Sequence, residues 1–269
     1  MASDHWLEAG PPGSARGHDL RPSRSAGCVA GDPTPVRHGI GSDTLAGVGS
    51  CSLINPTYWW YQARDSLFRT MFESRLEEPF LDIGSADGPS VTWVKKRTTL
   101  DVDAAAHPDV VASVLDLPFD DNTYATVGVF DVLEHVDDVV ALAEIRRVMR
   151  SGGSVFVSVP AYQWAWTGFD VKAGHQRRYT KHRLMSVLEK SGFLVERASY
   201  VFAATFPCFA VDRVTARFGL RETENPSDSG MPGWMSQILA GLCRLDAWWL
   251  ARWNLPFGSS IVAIAKKEG

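Results

Sequence analysis

Cysteine is scarce in this sequence, long apolar runs are missing and neither sign of charge dominates. Its four cysteines, Cys28, Cys51, Cys208 and Cys243, are scattered without a C-x-x-C pair, which argues against a structural zinc site and against a secreted disulfide framework. Reduced thiols are the expectation. No uncharged apolar stretch reaches the roughly 18 residues that a spanning helix needs. The N-terminus carries charges and Pro/Gly clusters where a secretory leader would need an apolar run. Neither secretion nor a membrane span is expected, and the location predicted is cytoplasmic. A formal charge of -4 supplies no field that would gather a polyanion, so nucleic acid is not an expected partner.

What is present is enough apolar material for a sizeable core: 45% of 269 residues. Residues 1–52 are rich in Gly, Pro, Ser, Arg and Asp without sustained periodicity, a composition that cannot offset its own ordering entropy. They are expected to be a disordered tail, native or the product of a misassigned start. Residues 53–269 are expected to form one domain. It begins with "NPTYWWYQARDSLFRTMFES", where Trp60, Leu67, Phe68, Met71 and Phe72 recur as on a helix lying against a core.

Strand-like and helix-like segments then alternate. Phe80 to Ile83, Thr98 to Val102, Val110 to Ser113, Ala125 to Phe130 and Ser154 to Val159 are short β-rich runs. Helical patterns are expected in the other gaps. In "DDVVALAEIRRVMRSGG" an Asp caps the start and Gly152 and Gly153 mark the end; "TKHRLMSVLEKSGF" repeats the plan with Thr180 and Gly192. Alternation of this kind predicts an α/β fold, a doubly wound parallel sheet whose ligands sit beyond the carboxyl ends of the strands.

The stretch "LDIGSADGPS" ends a strand at Asp82 and brackets a turn with Gly84 and Gly88, so bare backbone can approach a ligand where a following helix would begin. A dinucleotide fingerprint, G-x-G-x-x-G, is not met, because Ala86 and Pro89 stand where its second and third glycines belong. A nicotinamide oxidoreductase is disfavoured on that ground. An acidic strand end followed by G-x-x-x-G instead resembles the first motif of class I S-adenosylmethionine-dependent methyltransferases. Asp101, nineteen positions after Asp82, ends the next strand segment in "TTLDVD" and could accept both ribose hydroxyls. The segments "LDLPFDDNTYATVGVFDVLEHV", "EIRRVMRSGG" and "VFVSVP" follow in the family's order, and the likeness covers about residues 55 to 200. It is greatest to a bacterial branch with a "GHQRRYT" loop, whose members resemble enzymes of surface-glycan, lipid or secondary-metabolite pathways.

The resemblance implies a Rossmann-like seven-stranded sheet, mostly parallel, with an antiparallel last strand near Ser260 to Lys266 and a helical insertion or lid over 201–257. It implies S-adenosylmethionine as cofactor, held by Asp82, Gly84, Ser85, Gly88, Asp101, Val102, Ser113, Val114, Leu115 and Asp131. Two departures stand out: the turn's middle glycine is Ala86, and the family's adenine-binding Asp is Ser113, so adenine contacts are expected to fall to Val114 and Leu115. For chemistry, His175 is the candidate general base, with His135 and Tyr179 as further catalytic candidates. Trp164, Trp166, Arg177 and Arg178 are candidate acceptor-binding residues. An alternative implied by metal-dependent relatives is a divalent cation on Asp131, Glu134, His135 and His175.

Ten tryptophans are a high count, and several fall in "WMSQILAGLCRLDAWWLARW". There Met235, Ile238, Leu242, Leu245 and Trp249 share a helical face, read first as core or lid packing and second as an interfacial helix at the inner face of a membrane. The expected reaction is O-methylation of a small-molecule, glycan or lipid-linked hydroxyl. N-methylation and a catalytically silent cofactor-binding module that serves assembly remain the rivals.

Overall fold

A computed structural model describes residues 59–86, 88, 90–218 and 232–268. The expected tail over 1–52 lies outside them, as does the first of two units, residues 1–40; all that follows belongs to the second, Gly41–Gly269.

Helix α1, Trp59–Phe72, buries Ala63, Arg64, Leu67, Phe68, Met71 and Phe72, the three-and-four spacing that keeps one side of a helix against a core. Seven strands follow: β1 Phe80–Ile83, β2 Arg97–Asp101, β3 Val110–Val111, β4 Tyr124–Phe130, β5 Met149–Pro160, β6 Phe193–Val201 and β7 Ser260–Lys267. Their order in the sheet is β3-β2-β1-β4-β5-β7-β6. The pairs from β3 to β5 are parallel, and β7 runs antiparallel between β5 and β6. This is the class I methyltransferase sheet that the sequence leads one to expect. Helices α2, Asp138–Val148, and α4, Lys181–Lys190, pack Leu142, Ile145, Leu184 and Leu188 against Val127, Val129, Val155 and Val157 on one face. On the other, α1 meets Phe130, Phe156, Val262 and Ile264 together with Cys243 and Leu250 of α6, Gly233–Leu250. Alternate residues of β4, β5 and β7 thus feed opposite cores, as strand geometry requires. Helices α3, Gly168–Lys172, and α5, Phe206–Arg217, are the other α-helices among the described residues.

The caps fall where the sequence puts them at three helix ends. The Asp137 carboxylate accepts from Val139 N and Val140 N, Thr180 accepts from Arg183 N, and Gly192 follows α4 in the left-handed region at φ 81°. Two expectations need correcting. The pair Gly152 and Gly153 does not end α2, which stops at Val148; both glycines lie inside β5, whose first residues continue the chain without a loop. No helix lies between β1 and β2 among the described residues. The segment there combines Gly84, Gly88 and Pro89 with β-branched Val91, Thr92 and Val94, a poor set of helix formers. Val91 and Val94 are buried in the same cluster as α1, which covers the sheet at that place.

Candidate active site

Non-glycine residues with positive φ mark where the chain has been bent against its preference. Four of them, Ala86, Asp131, Tyr162 and Phe202, stand just beyond the carboxyl ends of β1, β4, β5 and β6. The strained backbone is therefore concentrated along one edge of the sheet.

At β1 the turn is clamped from below and from the side. Gly84 N and Ser85 N both donate to Leu100 O, at 2.8 and 3.3 Å. Gly84 has φ +74°, and a Cβ on it would lie 2.3 Å from Val132 Cγ2, so both conformation and space call for glycine. Asp82 is fully buried beneath the turn, where Oδ2 accepts from Ser90 N at 2.8 Å and Oδ1 has no partner. Burial raises its carboxyl to about 6, although hydrogen bonds from Ser90 and the charges of Arg64 and Arg97 oppose the rise. Asp82 holds the turn's shape from inside, and Gly84, Ser85 and Gly88 form the turn itself.

Asp101 ends β2 at the mouth of this turn. Its Oδ2 accepts from Ala86 N at 2.8 Å and its Oδ1 from Asp103 N at 2.9 Å, which leaves each oxygen further acceptor capacity for a diol. Val102 and Leu115 are exposed, whereas Val114 is buried in the core. Ser113 Oγ accepts from Leu115 N at 3.1 Å. The Leu115 amide is thus engaged locally, and its side chain is what it offers a ring.

The loop after β4 gathers acid and imidazole. Asp131 Oδ1 accepts from Ser158 Oγ at 3.0 Å, and Oδ2 pairs with Arg64 at 3.2 Å; Arg64 is buried, with its guanidinium over Phe68. Glu134 is buried with Oε2 unpartnered. Burial first, and then the Asp131 charge, raise its carboxyl well above the usual range, outweighing Arg178 and Arg64. Burial and the neighbouring His175 push His135 down to about 4 against the opposing influence of Asp131. The His135 and His175 rings meet edge to face with centroids 4.7 Å apart.

His175 is oriented by a residue that the sequence reading passed over. Its Nδ1 lies 2.8 Å from Oδ1 of Asp170, which is fully buried. Asp170 also accepts from Arg178 Nε at 2.7 Å and from Thr167 N at 2.8 Å. Burial alone would raise the Asp170 carboxyl, but the hydrogen bonds from His175 and Arg178 and the Arg178 charge hold it far below the usual range. A neutral imidazole that donates from Nδ1 to Asp170 carries its lone pair on Nε2. The signal was available in the spacing: Asp170 stands five residues before His175, in a turn capped by Thr167.

Glu134, His135 and His175 each offer one ligand atom within 4.8 Å of the other two. Asp131 is not among these clustered ligand atoms; its two oxygens hold Ser158 and Arg64, one partner each. Tyr179, Arg177 and Arg178 turn out to hold the loop together. Tyr179 is fully buried and donates to Asp138 Oδ2 at 2.8 Å. Arg177 donates to Val136 O and pairs with Asp138, while Arg178 is buried on Asp170. Arg178 and Tyr179 are buried on these partners, whereas Arg177 is half-buried. Trp164 is exposed and packs 5.8 Å from Tyr162; Trp166 is half-buried beside it in sequence. Tyr162 stacks on Tyr200 at 5.3 Å and meets Phe206 at 5.6 Å, so an aromatic wall rises from the carboxyl ends of β5 and β6. A depression of about 530 Å3 lined by Glu78, Phe80, Lys96 and Arg97 lies at the opposite ends of β1 and β2 and contains none of these groups.

A family model for the methyltransferase domain matches residues 57–198. An uncharacterized protein of Methanocaldococcus jannaschii is 33% identical over 103 residues, 35% of this chain and 46% of that protein, so the chain spans under half of this relative's length. Among solved structures, a possible histamine N-methyltransferase of Thermotoga maritima has a TM-score of 0.47 and 15% identity, covering 78% of this chain and 93% of that one. Phosphoethanolamine N-methyltransferase 2 of Haemonchus contortus, solved with S-adenosyl-L-methionine, has a TM-score of 0.46 and 13% identity, with coverages of 78% and 53%. Likenesses of that size bear on neither substrate nor reaction.

Proposed function

The chain belongs to the methyltransferase-domain family, and from that premise we propose that it transfers a methyl group from S-adenosylmethionine to a hydroxyl of a small-molecule, glycan or lipid-linked acceptor. The residues at the β1 and β2 ends suit this cofactor. Gly84 leaves its backbone bare, Asp101 keeps acceptor capacity on both oxygens, and Val102 and Leu115 offer exposed apolar surface for a ring. When bound, S-adenosylmethionine supplies an electrophilic methyl on a sulfonium.

The observation that carries the hydroxyl reading is the 2.8 Å contact between Asp170 and His175 Nδ1. It would leave Nε2 for an acceptor, and the proton leaving the hydroxyl would be held at that atom while Asp170 balances the imidazolium. The aromatic wall of Tyr162, Trp164 and Phe206 would orient the acceptor and thin the water around it. On this reading the enzyme would work in the cytoplasm, with contact at the inner membrane face where the acceptor is lipid-linked.

A second reading rests on the cluster of Glu134, His135 and His175. A buried carboxylate oxygen without a partner beside two imidazoles is a donor set that Mg or Mn accepts. A cation there would use His175 Nε2 as a ligand, so the same atom could not serve as base.

One experiment separates these readings from their rivals. Tritium from methyl-labelled S-adenosylmethionine should pass into polar and lipid extracts of the source organism, with and without chelator, while calorimetry follows cofactor binding. Transfer that ignores chelator supports the base; transfer abolished by chelator and restored by Mg or Mn supports the cation. Label on nitrogen in place of oxygen would move the reading to N-methylation. Cofactor binding without any transfer would leave a silent module.

A further inference from the structure

Helix α6 is apolar on nearly every side, yet only part of it is buried. Its inner face presents Cys243, Asp246 and Leu250 to the core. Residues 234, 238, 245, 248 and 249 fall within about 60° of one line on the opposite side at 100° per residue. They are Trp234, Ile238, Leu245, Trp248 and Trp249, exposed by 65, 54, 62, 57 and 44%. The face expected to pack inward is thus largely the outer one. A helix of this composition is ordinarily covered.

The charges say what would cover it. The one acidic residue of α6, Asp246, is turned inward, where both carboxylate oxygens lie 3.1 Å from Ala204 N. Arg244 and Arg252 are exposed beside the stripe, and Arg252 lies over Trp248 at 5.3 Å. The outer face therefore carries two cations and no anion. A second copy docked through this same face would set arginine against arginine with no carboxylate between them. Phosphate-bearing headgroups would pair with both, while Trp and Leu enter the boundary beneath them. No helix among the described residues is long and apolar enough to cross a membrane, and α6, about 27 Å long at 1.5 Å per residue, would lie along the surface.

We propose that the outer face of α6 docks this protein on an anionic phospholipid bilayer. The chain that follows α6 meets the aromatic wall. Phe257, beyond the C-terminal end of α6, is exposed and meets Phe206 at 5.5 Å, and Phe206 is part of the aromatic wall that also holds Tyr162 and Trp164. An acceptor with a lipid tail would then reach His175 along aromatic surface without leaving the bilayer. The idea rests on the methyltransferase reading only for that last step.

Sedimentation of the full chain with vesicles tests it. The protein should pellet with vesicles of phosphatidylcholine and phosphatidylglycerol, remain in solution with phosphatidylcholine alone, and be released by salt. Replacing Arg244 and Arg252 by Gln should weaken binding about fivefold for each charge; the pair Leu245→Ser and Trp248→Ser should weaken it about tenfold or more. Should the apolar pair fail to fold, as judged by its melting curve, the arginine pair still decides the question. Wild-type protein that ignores both vesicle types overturns the proposal. So does binding that the substitutions leave unchanged, or a vesicle-free dimer that Leu245→Ser and Trp248→Ser dissolve, which would assign the face to a second copy. Pelleting needs no turnover, and calorimetric cofactor binding on the same samples keeps failure here distinct from failure of the methyltransferase reading.

Discussion

A ring nitrogen acts as a base when its neighbour across the ring is held and its own lone pair is presented. Asp170 does the holding for His175, and Arg178 and Thr167 in turn hold Asp170. Such a chain of buried contacts fixes a side chain better than a loop alone can. All cofactor contacts proposed above come from residues before 136, whereas His175 follows β5 and α3. His175→Ala should therefore leave cofactor affinity within about threefold and lower turnover by roughly a hundredfold to ten-thousandfold. Calorimetry and single-turnover rates measure the two separately. Near-wild-type turnover would reduce the histidine to a packing residue on His135.

At the scale of elements, what could be read from the sequence followed from local rules. Strand β1 falls where its apolar run does, and α4 begins and ends at Thr180 and Gly192, because period and capping are written in adjacent residues. What could not be read depended on distant partners. That α1 covers the sheet beside the turn after β1 could not be read locally, and the outer stripe of α6 has the composition of a core face. Likewise Asp131 was legible as a strand-end acid, but its engagement by Arg64, 67 positions away, was not. Gly84 belongs to both groups: the sequence marks it as bare, and only the fold shows Val132 across from it. Gly84→Ala should cost about 1 to 2 kcal/mol for the left-handed backbone alone and more for displacing Val132. Adding Val132→Ala should recover the second part and not the first. Thermal melting of the single and double variants would reveal this, and equal melting of both would place the strain elsewhere.

The molecule as a whole carries buried carboxyls whose shifts oppose one another, and its stability should depend on pH accordingly. Asp170 is held far below the usual range, so its contribution is present above the unfolded value and lost as pH falls through the lowered one. Asp82 works in reverse. Its carboxyl is raised from 3.8 to about 6 by burial, so the folded state keeps a proton that the unfolded chain has released. Its contribution is complete below about pH 4 and disappears as pH rises through about 6, a change of roughly 3 kcal/mol at 1.36 kcal/mol per pH unit. Asp82→Asn removes this titration while keeping an oxygen for Ser90 N. The extra amide donors beside the unpartnered position of Oδ1 will cost some stability at every pH. The absolute stability of the variant is therefore uninformative, and the pH dependence of the difference is what counts. Urea unfolding at pH 4, 5.5 and 7 should show wild-type protein losing up to about 3 kcal/mol relative to Asp82→Asn across that range. A constant difference would mean that Asp82 is solvated or paired in a way that its burial beneath the turn does not allow.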